Sequence, residues 1–147
     1  MCRFAHKNYR MLSKKTRYAM MALSCLAQEY GNGPVLISRI SKQEHIPKRF
    51  LENILQELRR SGYVNSKLGK TGGYFLVKDP RQINLLEIVR LFEGSVGMLY
   101  CISEQNYQPC EFCKEESLCN IRATFGKIRN YAIRELESTT LNNIIPQ

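Results

Sequence analysis

Apolar residues recur along this chain with two periods, and each change of period marks an element. Tyr18, Met21, Ala22, Cys25 and Leu26 fall at i, i+3, i+4, i+7 and i+8, the spacing of one helix face, and predict a helix from Ser13 to Tyr30. "GNGP" at 31–34 ends it, because glycine supplies turn conformations and proline cannot continue a helix. Cys25 sits on the apolar stripe and is read as core. A short extended "VLI" follows, and Ser38 is expected to cap a brief helix reaching Glu44. Pro47 suits the first turn of the next helix, where Leu51, Ile54, Leu55 and Leu58 share a face and Gly62 stands at the C′ position. "YVNSKLGKTGGYFLV" then alternates, breaks at "GKTGG" and resumes, which predicts a β-hairpin. Two more helices are expected. One is capped near Asn84 with Leu85, Ile88, Val89 and Phe92 apolar; the other is long, with Ile121, Phe125, Ile128, Ala132 and Leu136 on one face.

Two short helices joined by a tight turn make a helix-turn-helix, and a hairpin directly after it makes the arrangement a winged helix. The expected fold is therefore mainly α with a small β-hairpin wing (α+β), ending in a long C-terminal dimerisation helix. It divides as a tail at 1–10, a DNA-binding domain at 11–81, and a cysteine loop with dimerisation helices at 82–147. The second helix of the motif turns Lys48, Arg49, Glu52, Asn53, Gln56, Arg59 and Arg60 away from its apolar face. Ser38 at the head of the first helix, Lys48, Arg49, Glu52 and Asn53 on the second, and Lys67 and Lys70 in the wing are the candidate DNA-binding residues. Such a helix enters a major groove while wing lysines reach flanking phosphates or the minor groove. "GKTGG" lacks the G-x-x-x-x-G-K-[ST] spacing of a phosphate loop and lies between two strands. Few apolar elements remain to cover the stripe of the last helix, so its expected partner is the same helix of a second subunit.

Charge supports a polyanion partner. The formal net charge is +9, but residues 1–81 hold 16 Lys/Arg against 5 Asp/Glu while residues 82–147 hold 6 against 8. The chain's 147 residues fit one domain, and no apolar run has the length of a membrane span. The basic "MCRFAHKNYR" lacks the apolar stretch of a signal peptide, so a cytoplasmic protein is expected.

There, clustered cysteines hold metal or do redox chemistry more often than they form disulfides. Four of the six cysteines lie between 101 and 119, spaced C-x8-C-x2-C-x5-C, in a polar segment containing Pro109. Cysteines in such a loop are poor packing residues, and Cys119 opens the last helix, where a helix N-terminus favours a thiolate. Cys101, Cys110, Cys113 and Cys119 are accordingly read as a thiolate metal site. Spacing does not choose between zinc, which usually takes two C-x2-C knuckles, and an iron–sulfur cluster, whose two common ferredoxin spacings are absent. An enzyme is not expected. His6 and His45 are the only histidines and pair with no cysteine at recognisable spacing, and a C-x2-C oxidoreductase at Cys110 and Cys113 would leave the helix-turn-helix, wing and charge asymmetry unexplained.

"LSKKTRYAMMALSCLA", "IPKRFLENILQELRRSGYVNSKLGKTGGYFLVKDPRQINLLEIVRLFEG", "CKEESLCNIR" and "STTLNNII" together resemble the bacterial winged-helix regulators of the iron–sulfur cluster regulator (IscR) and nitric-oxide-sensitive repressor (NsrR) family. The resemblance implies a homodimer on a pseudo-palindromic operator, reading DNA through Lys48, Arg49, Glu52 and Asn53 and through a wing at Lys67, Leu68 and Lys70. It also implies a cluster that senses iron–sulfur, redox or nitric-oxide status. Family members often carry a basic residue where Leu68 stands. Their cluster cysteines follow C-x5-C-x5-C; Cys113 and Cys119 match the second and third, while Tyr107 stands at the first, between Cys101 and Cys110. Arg122 takes the place of a histidine ligand found in some members, and Arg17 that of an acidic ligand found in others. The fourth cysteine is then the expected replacement.

Overall fold

The computed structural model describes residues 12–146; the tail read at 1–10 lies outside the described residues. Five helices and one hairpin are arranged as α1 (Lys14–Gln28), α2 (Ile37–Gln43), α3 (Lys48–Arg60), β1 (Val64–Lys67), β2 (Gly73–Leu76), α4 (Leu85–Glu93) and α5 (Asn120–Ser138). Short 3-10 turns at Pro80–Gln82, Tyr100–Ile102, Glu116–Leu118 and Leu141–Ile144 connect and follow them. The expected mainly helical winged-helix architecture is the one observed.

The apolar stripes become one core. Leu51, Ile54, Leu55 and Leu58 of α3 are fully buried, against Ala19, Ala22, Leu23, Cys25 and Leu26 of α1 and Ile88 of α4. Each large aliphatic side chain so buried stabilises by about 1.5–3 kcal/mol relative to exposure. Burial also pushes the Cys25 thiol pKa up, with the nearby Glu44 carboxylate adding to it, which suits a packing residue rather than a reactive one. Gly62 ends α3 at φ +78°, with its N–H on the Arg59 carbonyl (3.1 Å) and the Tyr63 N–H on that of Leu58 (3.0 Å). That is the Schellman pattern expected of a C′ glycine.

Three local features differ from the sequence reading. Ser38 is not a cap. Leu36 is the extended residue before α2, no side chain caps it, and Ser38 is exposed inside the first turn. The reason lies in Val35, whose N–H and carbonyl both pair with Tyr74 of β2 at 2.8 Å, so the chain leaves the sheet at Leu36 and turns helical at once. "VLI" is thus a bridge onto the wing rather than a free extended segment. Third, the C-terminal residues return to the winged helix. Asn84 pairs with Thr140, the Leu141 N–H donates to the Ile83 carbonyl (2.9 Å), and Leu141 is fully buried in the same core as α1 and α3.

Glu93, the last residue of α4, ties the start of α1 to this frame. Its Oε1 accepts the Ser13 N–H at 2.7 Å and the hydroxyl of Thr16, the one buried polar side chain among the described residues. Burial pushes the Glu93 carboxyl up, but the hydrogen bonds from Thr16 and Ser13 outweigh it, and the net pKa is lowered. A carboxyl depressed on folding contributes stability that is fully present above its unfolded pKa and is lost as pH falls through the folded value. Glu93→Gln is expected to flatten the acid limb of a Tm-against-pH curve below about pH 4.5, the ordinary glutamate range. Parallel acid limbs for the two proteins would refute the role.

Candidate DNA-reading face and cysteine pocket

The turn between α2 and α3 is set by two contacts. His45 adopts φ +52°, a left-handed conformation histidine tolerates better than most residues, and the Ser41 hydroxyl donates to the Ile46 carbonyl at 2.6 Å. With one face of α3 buried, its other face is solvent. Lys48, Arg49 and Asn53 are exposed and Glu52 is half-buried one turn above Lys48. In β1 and β2, Val64 pairs with Leu76 and Lys67 with Gly73, which leaves residues 68–72 as the wing tip with Lys67, Leu68 and Lys70 exposed. Leu68 is 95% exposed, so an almost fully exposed apolar side chain stands at the wing tip. Arg59, outside the predicted DNA set, donates to the Ser66 hydroxyl at 3.0 Å and ties the end of α3 to the wing. Among the described residues, Lys48, Arg49, Lys67 and Lys70 form no ion pair, so four cations project from α3 and the wing without an internal counter-charge.

The second region lies between α4 and α5. Cys101, Cys110, Cys113 and Cys119 all line one cavity of about 400 Å3, together with apolar atoms of Leu99, Phe112 and Ile121. The four do not share one environment. Cys101 is buried in the Tyr100–Ile102 turn, contrary to the expectation that the loop thiols would not pack, whereas Cys110, Cys113 and Cys119 are half-buried. Cys119 is the N-cap of α5 and its sulfur accepts the Arg122 N–H at 3.4 Å. That bond, opposed by burial and helped by a hydrogen bond from Cys113, lowers the Cys119 pKa. Burial raises Cys113, and its hydrogen bond to Cys119 raises it further, as expected of the member that keeps its proton. The thiolate expected at the start of the last helix is therefore favoured by this geometry, and the backbone N–H is the main cause.

Arg122 and Arg129 hold the loop against α5, a role that periodicity alone did not reveal. From positions two turns apart on α5, the Arg122 Nε donates to the Cys101 carbonyl (3.2 Å) and the Arg129 guanidinium to that of Ile102. Arg122 also pairs with Glu116 at 3.4 Å, and Tyr107 donates its hydroxyl to the same Glu116 carboxylate at 2.5 Å. The seven-residue spacing of two arginines beside the loop was the available signal. Arg122 thus braces the loop through its guanidinium, and Tyr107 closes the same brace.

Four soft sulfur donors around one pocket fit a thiophilic metal or an iron–sulfur cluster in donor chemistry. Among the described residues, no three His, Cys, Asp or Glu side chains already converge closely enough to hold a metal ion. Binding therefore requires the loop to draw its thiols together. No described helix is long and apolar enough to cross a membrane.

Comparison with known proteins agrees with the fold. The family model described as "Rrf2: Iron-dependent Transcriptional regulator" matches residues 12–147. An rrf2-like HTH-type transcriptional regulator of Rhodobacter capsulatus is 38% identical over 138 residues, covering 92% of each chain. Among solved structures, CymR of B. subtilis, titled a global cysteine regulator, superposes with a TM-score of 0.76 at 28% identity, covering 91% of this chain and 95% of its own. IscR of T. potens gives 0.69 at 26% identity, over 90% and 84%.

Proposed function

The chain belongs to the Rrf2 family of transcriptional regulators, and from that premise we propose that it is a cytoplasmic homodimer whose cysteine loop senses iron–sulfur, redox or nitric-oxide status and sets its affinity for a pseudo-palindromic operator. The observation that carries the reading is that all four loop cysteines line one pocket at the base of α5. Cys101, Cys110, Cys113 and Cys119 are the residues that would hold a cluster, which when bound supplies a centre sensitive to oxidants and nitric oxide.

Operator contact is assigned to Ser38, Lys48, Arg49, Glu52 and Asn53 of the helix-turn-helix and to Lys67 and Lys70 of the wing. A continuous path of contacts supports coupling between loop and DNA face. The loop begins one residue after Glu93, Glu93 holds Ser13 and Thr16, and α1 packs on α3 through Lys15–Glu57 (2.5 Å) and the Tyr18–Phe50 ring pair (5.7 Å). A change in the loop that favours one arrangement of α4 and α1 would bias the orientation of α3, a population shift between two states.

The dimer reading rests on α5. Nineteen residues long, it has no buried residue in the single chain, and Ile121, Ile128 and Tyr131 are 65%, 46% and 60% exposed. Sedimentation equilibrium at micromolar concentration is expected to give the dimer mass; a monomer there would remove this part of the proposal. For the sensor, iron, sulfide and zinc analysis of anaerobically prepared protein should find iron and sulfide, with visible charge-transfer absorption that bleaches on oxidation. Stoichiometric zinc in colourless protein would instead support a structural zinc site held by all four cysteines, which the same donor set fits. Colourless protein free of both metals after reconstitution would eliminate metal sensing and leave DNA binding intact.

A further inference from the structure

A lone exposed leucine is an ordinary surface feature and by itself calls for no partner. Leu68 differs in its setting. It is 95% exposed at the first position of the wing tip, with the exposed Lys67 before it and Lys70 two residues on. Between Glu57 and Asp79 the chain holds five Lys or Arg and no acidic residue. The wing is therefore built for a polyanion, and the apolar side chain at its tip is the exception.

The tip is also stiff. The Gly72 N–H donates to the Gly69 carbonyl at 3.0 Å, and a Cβ on Gly72 would stand 2.2 Å from the Lys67 carbonyl oxygen, so backbone closes on backbone there. At the base of the hairpin, Arg59 on Ser66 (3.0 Å) ties β1 to α3, and Val35 on Tyr74 (2.8 Å) ties β2 to the entry of α2. Leu68 stands on a braced support that shares one frame with α3, and little further ordering opposes its burial against a partner.

We propose that Leu68 is a minor-groove wedge. The inference rests on the operator binding proposed above and adds how the wing reads DNA. Lys67 and Lys70 take phosphates beside the groove, and Leu68 enters it at a flexible pyrimidine–purine step, unstacking the bases and bending the duplex. A lysine on phosphate carries no sequence information, whereas a leucine entering a base step selects the step that unstacks at least cost, TA or CA. Preference at the flanks of the site then comes from DNA deformability, without a hydrogen bond to any base. An arginine at this place would select differently, because its charge favours the narrow minor groove of an A-tract.

The test uses the full-length protein and a random-sequence duplex library. Wild type, Leu68→Ala and Leu68→Arg are each carried through selection. The duplex enriched by the wild type then serves for affinity and, through energy transfer between its labelled ends, for bending. The wild type is expected to enrich TA or CA steps on the flanks of its site and to bend the duplex by at least about 20°. Leu68→Ala should keep the inner base preferences, lose the flanking ones and the bend, and bind about tenfold more weakly. Its slope of log K against log salt should stay that of the wild type, since no phosphate contact is lost, and this separates Leu68 from Lys67 and Lys70. Leu68→Arg should keep the inner preferences and enrich A-tracts on the flanks. Both variants should melt with the wild type, because the side chain lies outside the core. Wild-type affinity, bend and flanks in Leu68→Ala would overturn the proposal, as would weakened binding with the bend intact. A lower mass for Leu68→Ala in sedimentation would assign the side chain to a contact between copies of the chain, and the wedge would fall. Failure of all three proteins to enrich any sequence would remove operator binding itself and the wedge with it, a result distinct from the others.

Discussion

Gly73→Ala is expected to lower the thermal midpoint by roughly 6–12 °C, a loss of about 3 kcal/mol for a chain of this size. Two costs add. Gly73 has φ +146°, a conformation that strains any L side chain by about 1–3 kcal/mol. A Cβ there would also stand 2.3 Å from the Val35 carbonyl oxygen and 2.9 Å from the Leu36 nitrogen, and backbone cannot yield as a flexible side chain can. Relief means opening the two 2.8 Å hydrogen bonds between Val35 and Tyr74, which hold the wing against the entry to α2. DNA affinity should fall with stability, since wing and helix-turn-helix are joined at that bridge. Gly69→Ala is the internal comparison: its φ is +111° but its Cβ would meet nothing within 4 Å, so only the strain remains, about 1–2 kcal/mol. Thermal melts followed by circular dichroism separate the two, and equal losses would show that the Val35 contact carries no weight.

Arg49→Ala and Asn53→Ala should each cost about 1–3 kcal/mol on the preferred operator, roughly 10- to 100-fold, and little on scrambled DNA. Base discrimination comes from a few side chains that reach base edges, and these two are exposed on the solvent face of α3. Lys67→Ala and Lys70→Ala should behave differently. A lysine against phosphate carries no sequence information, so both DNAs should be weakened alike, and the slope of log K against log salt should become shallower by about 0.9 for each phosphate no longer neutralised. Anisotropy titrations on both DNAs at several salt concentrations give all four results. If the arginine and asparagine variants lost affinity uniformly, or the lysine variants left the salt slope intact, α3 and the wing would not dock in the way proposed.

What the chain's residues reveal in advance depends on how locally each feature is determined. The four long helices and the hairpin follow from apolar spacing and from stops at "GNGP" (31–34) and Gly62, because periodicity and chain reversal are local properties. Ser38 fails as a cap because a long-range pairing, Val35 with Tyr74, decides where α2 starts. The return of Thr140 and Leu141 to Asn84 and Ile83 is equally invisible in local patterning, although it joins the last residues to the core of the first helices. In the cysteine loop, spacing finds the thiols but not their inequality. Cys101 is buried because α5 reaches across twenty-odd residues to bond its turn, and Cys119 is favoured as thiolate by a backbone N–H three residues on. The Arg122 position, at which the family resemblance points to a ligand in some members, turns out to hold a brace.

The return of residues 139–145 has a mechanical meaning. Thr139 and Leu141 fasten the far end of α5 to the winged helix through the Leu85 N–H (2.9 Å) and the Ile83 carbonyl, while its near end rests on the cysteine loop. A rod hinged at one end and propped at the other does not slide; it swings. Nineteen residues of helix are about 28 Å long, so a tilt of about 10° moves the propped end by roughly 5 Å while the hinge stays still. Drawing the four thiols together around a metal would act on that propped end directly. A displacement of the cysteine loop is thereby turned into a rotation of α5 about its fastening at Ile83 and Leu85, not into a translation.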